Sequence, residues 1–203
     1  KPLTLGFDIV VHSCTKYLGG HSDLIAGAAI ASHARMAEIR DFSHQLLGAV
    51  LSPFAAWLLL RGMRTLPARM RAHQENVMRV IDYLKTRHEV ENIRHPCMAN
   101  EAQRAIIRKQ MMGFSGLFSF EIRNGRFAAV KQFIDSCQLF KVGCSWGGYE
   151  SLIISPNRGY NESALAADNI APGLIRLSIG QESPSRLIAD LDAAFAAIAV
   201  IGG

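Results

Sequence analysis

A run of apolar and β-branched residues, Phe7 to Val11 (FDIVV), leads directly into Ser13, Cys14, Thr15 and Lys16. A continuous apolar run of this length reads as a buried strand of a parallel sheet. Parallel strands need crossover helices, so this feature points to an α/β fold. In α/β folds ligands gather at the ends of such strands. Ser13 and Thr15 alternate with Cys14, so both hydroxyls can face one side. Hydroxyls beside a primary amine suit a phosphate next to a carbonyl. Pyridoxal 5′-phosphate (PLP) held as a Schiff base presents that combination. A Lys-Tyr pair after a strand is also a common solvated turn, and spacing alone leaves both readings open.

Composition narrows the alternatives. With 203 residues, 49% of them hydrophobic and 19% charged, the chain reads as a well-buried globular protein rather than a disordered one. A chain of this length buries roughly 70% of its unfolded surface and needs no disulfide or metal staple. The net charge of +5 is scattered, with no run of three Lys or Arg, which argues against a nucleic-acid partner. Cys14, Cys97, Cys137 and Cys144 form no Cys-x-x-Cys pair, and His12 and His21 lack a partner carboxylate spacing. No metal site is expected, and the cysteine usage suits a reduced, cytoplasmic protein. Lys1-Pro2 opens straight into a globular pattern, so no signal peptide is expected. The longest uncharged apolar stretch, Gln45 to Leu60, contains Pro53 and is shorter than the ~18 residues of a membrane span.

Asp23 to Ser32 reads as a second apolar run, rich in small residues. A helix is expected over Ala34 to Leu47, with Ser32 or His33 as its cap. Ser52-Pro53 looks like a cap followed by proline at the first helical position. From Pro67 to Thr86 the spacing of Met70, Val77, Val80, Ile81 and Leu84 predicts a long amphipathic helix. A domain boundary is expected near residues 62–70, with this helix linking two lobes. Strands are expected at Gly116–Ile122, Glu150–Ser155 and Leu174–Ile179. Further helices are expected over Arg126–Cys137 and from Ser183-Pro184 to about Ile198. Ala99–Met112 reads as loop with some helix, and Pro156–Pro172 as a long loop.

The words of the lysine segment, VVHSCTKYLGGHSD, resemble the PLP-lysine signature of the Cys/Met-metabolism (transsulfuration) enzymes. Ser13, Thr15, Lys16, Tyr17, Gly20, His21, Ser22 and Asp23 all match it. Three downstream segments are similar to that family in the same order. These are RGMRTL from Arg61, CSWGGYESL from Cys144 and LIRLSIG from Leu174. The resemblance covers essentially the whole chain. It implies that Lys16 is the catalytic Schiff-base lysine, and that Ser13 and Thr15 contact the cofactor phosphate. It further implies that Arg176 binds the substrate α-carboxylate, a task suited to a planar, permanently charged fork. Ser145 resembles the serine that helps hold the lysine. Trp146 stands where most relatives carry leucine, and the SWGGYESL form resembles bacterial cystathionine β-lyase. Its backbone N–H would help Arg176 grip the carboxylate.

The resemblance also implies an aspartate-aminotransferase-like, fold type I architecture. Residues 1–66 would be the C-terminal part of the PLP-binding large domain, including the end of its sheet. Residues 67–203 would be a small α+β C-terminal domain. The family is about twice this length. Its glycine-rich phosphate loop, stacking tyrosine and pyridine-nitrogen aspartate precede the lysine and have no counterpart here. The chain is therefore expected to be the C-terminal half of such an enzyme, with strand edges and an apolar sheet face left uncovered. The implied reaction is α,β-elimination of L-cystathionine to homocysteine, pyruvate and ammonia. A γ-synthase or methionine γ-lyase is the alternative, and a non-catalytic fragment retaining the fold is another. Family members resemble dimers of dimers, so a homo-oligomer acting on an amino-acid substrate is implied.

Overall fold

Alternating side chains from Leu117 to Ile122 (LFSFEI) build a central strand, because every second residue can face a common core. The computed structural model describes residues 1–199. The chain divides into two compact units, Lys1–Pro67 and Ala68–Gly203.

The second unit is a mixed five-stranded sheet with helices, an α/β arrangement as the sequence leads one to expect. Its strands are β3 (Val90–Arg94), β4 (Leu117–Ile122), β5 (Lys141–Val142), β6 (Leu152–Ile154) and β7 (Leu174–Ser178), in the order β3-β4-β7-β6-β5. Only β5 and β6 run parallel; the other neighbours are antiparallel. The core joins Phe120 of β4 to Ile175 and Leu177 of β7. Val77, Val80, Ile81 and Leu84 bring in helix α3 (Leu66–Leu84), on the face its spacing predicts. Phe133 of α5 (Phe127–Ser136) and Phe195 of α7 (Pro184–Ala199) pack as a tilted pair, 4.7 Å between ring centroids. Asp190 on α7 accepts from the backbone N–H groups of Gln138, Leu139 and Phe140, fixing the turn that leads into β5.

Two segments differ from the loops expected of them. Asn100 and Gln103 exchange side-chain and backbone hydrogen bonds in a capping box, which starts helix α4 (Glu101–Gln110). Within 156–172, a short helix α6 (Glu162–Ala167) forms. Glu162 accepts from Asn157 and from the Phe127 N–H, tying that segment to the start of α5. Strands β3 and β5 carry too many polar residues for the alternation to be read. Ser183 opens α7 through its carbonyl, while its hydroxyl pairs with Ser185 rather than capping.

The first unit corrects the parallel-strand expectation. Strand β1 (Ile9–Ser13) pairs antiparallel with β2 (Gly27–Ala31), because the intervening turn carries the chain back beside itself. The pair is not buried: Val11 is 76% exposed, and Phe7, Ile9 and Ile30 are also exposed. An apolar run specifies a strand but not what covers it. Helix α1 (His33–Ile39) is capped by the Ser32 hydroxyl and continues into a wider, π-type turn, Arg40–Leu46. Helix α2 (Pro53–Arg64) is capped by Ser52 with proline in its first turn. Phe54, Trp57 and Leu60 of α2 are exposed, and this unit buries few apolar side chains of its own. Among the described residues no helix is long and apolar enough to cross a membrane.

Replacing Phe133 by alanine is expected to cost the second unit about 3–5 kcal/mol in urea unfolding. Alanine at exposed Ile106 of α4 should stay within about 0.5 kcal/mol of the parent.

Candidate functional site

The six residues singled out in the sequence fall into two groups, one in each unit. In the first unit, β1 ends at Ser13 and the chain enters a wide turn, Cys14–Leu18. The Gly19 and Gly20 N–H groups close it by donating to the Cys14 and Lys16 carbonyls. Lys16 breaks the helical path, with φ −92° and ψ −131°. Cys14 is buried beneath the turn, and burial pushes its thiol pKa up, so it packs as a small apolar residue.

Ser13 is exposed, and its hydroxyl caps no helix end. Thr15 is engaged differently: its hydroxyl donates to the Ala26 carbonyl at 3.3 Å and accepts from the Ala26 N–H at 3.0 Å. That pair pins the turn to the start of the return strand. It leaves Thr15 a lone pair but no free proton for an anion.

Two glycines decide how close α2 comes to this turn. A Cβ on Gly62 would lie 2.2 Å from the Gly19 carbonyl oxygen. A Cβ on Gly19 would lie 2.8 Å from the Cys14 oxygen. Backbone therefore touches backbone, which only glycine permits. Beside this contact is a cavity of about 190 Å³ lined by His21, Asp23, Leu58, Arg61, Gly62 and Thr65. Two separated sequence words, GHSD and RGMRTL, thus meet in one place. His21 Nδ1 lies 2.8 Å from the Gly19 carbonyl, and the Arg61 guanidinium lies over the Trp57 ring at 5.2 Å.

In the second unit, Arg176 lies mid-strand on β7, paired with Ser119 of β4 and Ile154 of β6. One terminal nitrogen donates to the Gly143 carbonyl at 3.3 Å and to the Ser145 carbonyl at 3.2 Å. The guanidinium carbon lies 5.7 Å from the Trp146 ring centroid. Ser145, Trp146 and Arg176 are thus brought together, each half-buried. Arg176 Nε is buried and has no hydrogen-bond partner among the described residues. An unpaired N–H on a charged group costs on the order of 1–3 kcal/mol, and an anion at the fork would recover it. Among the described residues no group of His, Cys, Asp and Glu is placed to hold a metal ion.

The sequence words and this geometry have relatives. Residues 1–196 match the model of the Cys/Met metabolism PLP-dependent enzyme family. The chain belongs to that family. A cystathionine beta-lyase of Lactococcus lactis subsp. cremoris is 38% identical over 94% of the chain and 51% of its own length. An L-methionine gamma-lyase of Fusobacterium nucleatum subsp. polymorphum is also 38% identical, over 95% of the chain and 50% of its own length. Among solved structures, a cystathionine gamma synthase of Xanthomonas oryzae pv. oryzae in complex with aminoacrylate and cysteine superposes with a TM-score of 0.88. It is 40% identical, covering 98% of the chain and 52% of that structure. The chain spans about half the length of the curated relatives it matches, in keeping with the C-terminal half expected. The cofactor of the family is PLP.

Sequence reading missed the supporting partners: Ala26 for Thr15, Gly19 for Gly62, and the Gly143 and Ser145 carbonyls for Arg176. Each is a contact between separated segments, and in all four the partner atom is backbone. Gly62→Ala is expected to displace the lysine turn at a cost of about 1–3 kcal/mol. Faster amide hydrogen exchange at Gly19 and Gly20 would register the displacement.

Proposed function

We propose that this chain forms part of a PLP-dependent carbon–sulfur β-lyase that cleaves L-cystathionine to homocysteine, pyruvate and ammonia, with uptake of one water. The observation that carries this reading is Arg176, held by two carbonyls beside Trp146, with a buried Nε that has no partner among the described residues. Such a fork suits the carboxylate of an amino acid. Residues 1–66 would supply part of the cofactor-binding domain, and 67–203 the small domain.

The donors of the lysine turn fit the cofactor. Lys16 offers an amine for its carbonyl carbon, and the exposed hydroxyl of Ser13 suits its phosphate. Thr15 would add only an acceptor unless its proton left Ala26. Bound PLP supplies an electron sink for the charge left at Cα when a proton is removed. Lys16 would take up that proton and deliver one to the departing sulfur. Arg176 fixes the substrate carboxylate, and with it the direction of the Cα–H bond. The Trp146 ring lies beside the guanidinium, and the Trp146 backbone N–H would be a further donor to the carboxylate. Ser145 lends its carbonyl to Arg176. The working enzyme would be a homo-oligomer, a dimer of dimers in the cytoplasm.

A γ-type reaction is the second reading, favoured by relatives named methionine gamma-lyase and cystathionine gamma synthase. Products separate the two: pyruvate from L-cystathionine supports the β-lyase, whereas 2-oxobutanoate supports γ-cleavage. Borohydride reduction of the purified protein in PLP is expected to add one reduced cofactor to the intact mass, mapped to Lys16 and absent in Lys16→Ala. An unmodified mass would mean that this chain is a non-catalytic fragment. Arg176→Lys is expected to weaken kcat/KM for cystathionine by at least ~100-fold, a loss of ~2.7 kcal/mol in transition-state stabilisation.

A further inference from the structure

Arg176 is aimed by a loop, and one carboxylate fastens the far end of that loop, while the Gly143 N–H donates to the Ile153 carbonyl and the Gly147 N–H to the Ser178 hydroxyl along the way. The carbonyls that hold the guanidinium belong to Gly143 and Ser145, at the start of the segment 143–151. That segment is anchored at its far end by Ser151, which is fully buried. The Ser151 N–H donates to Glu182 Oε1 at 2.7 Å, and its hydroxyl donates to Glu182 Oε2 at 2.8 Å. The same hydroxyl accepts from the Gly180 N–H at 2.8 Å. Both oxygens of one carboxylate are thus filled by one residue of the loop.

The other side of the fastening is equally fixed. Asn76 on α3 donates to the carbonyls of Gly180 and Glu182, at 3.0 and 2.9 Å. Gly180 leaves no room for adjustment: a Cβ there would lie 2.3 Å from the Tyr149 carbonyl oxygen. The segment carrying Glu182 follows directly from β7, the strand that carries Arg176. The carboxylate therefore ties together the segment that ends the Arg176 strand and the loop that grips the Arg176 side chain.

We propose that Glu182 is a positioning residue for carboxylate recognition, acting through Ser151 to hold the Gly143 and Ser145 carbonyls on Arg176. This rests on the reading of Arg176 as the carboxylate fork. Charge-assisted bonds from a backbone N–H and a hydroxyl are shorter and stronger than neutral ones, so a carboxylate is a stiffer fastening than an amide. In Glu182→Gln the amide keeps the outline of the side chain but strands the Ser151 hydroxyl proton. In Ser151→Ala the Gly180 N–H and Glu182 Oε2 both lose their partner.

The test is a titration of the ¹⁵N-labelled full chain with L-cystathionine, following the Arg176 Nε–H resonance assigned by its loss in Arg176→Lys. Glu182→Gln is expected to move that resonance in the ligand-free protein and to raise the cystathionine Kd roughly tenfold, with the melting midpoint near that of the parent. Ser151→Ala should move the resonance and the Kd in the same way, with a lower melting midpoint because two buried groups lose their partner, and the double variant should bind no more weakly than the worse single one, since both act through one fastening. If Glu182→Gln fails to fold, Ser151→Ala provides the same reading. An unmoved resonance and an unchanged Kd in the folded variants would overturn the positioning role and leave Arg176 as the fork. Cystathionine binding that survives Arg176→Lys, or is absent from the parent, would overturn the fork itself and this inference with it.

Discussion

Strand β7 is hydrogen-bonded on both sides, to β4 and to β6, and that double pairing is what makes a precise Arg176 possible. An arginine side chain has many rotamers to lose, and holding it is worthwhile only where its Cα does not move. Ile175 and Leu177, its neighbours in the strand, are fully buried against the core. Arg176 points to the opposite face by the alternation of the strand. The hydrophobic core therefore sets the direction of a charged group on the other side of the same strand. The loop from Gly143 to Ser151 completes the arrangement with backbone carbonyls, whose positions depend on fold more than on side-chain identity.

The first unit relies on a different device. Its lysine turn has no core of comparable size beneath it, and it is held by polar and steric contacts instead. The Thr15–Ala26 bonds close the turn on the return strand, and the Gly62–Gly19 contact sets α2 against it. Apolar side chains on β1 and α2 remain exposed in a chain that spans about half the length of its relatives. The exposed surface and the short span are in accord.

The sequence was most legible where physics is local. The Ser52-Pro53 start of α2 and the one-faced apolar spacing of α3 are patterns within a few residues, and the structure has both. The capping box of α4 was equally local, but Asn100 and Gln103 stand among polar residues and were passed over. Strand β1 was recognisable from its residues, whereas its antiparallel partner and its exposure depend on the path of the chain after Gly20. For the candidate site, Lys16 and Arg176 stood out only because whole words around them match a family. What supports them was hidden: Gly62 against Gly19, and Glu182 on Ser151, join segments far apart in sequence. No periodicity or spacing rule reports such pairs.

The order of strands across the second unit has a consequence for how it is made. Strand β4 emerges from synthesis well before β7, the neighbour that completes it, and α7 follows β7. Until then the Phe120 side of the sheet has no Phe195 to meet it. Contacts of such long sequence separation slow folding, because the chain between them must be closed before any reward is collected. The nascent chain therefore passes through a long interval with an open sheet edge and bare aromatic rings. That interval is where a chaperone would act and where precipitation during expression would begin.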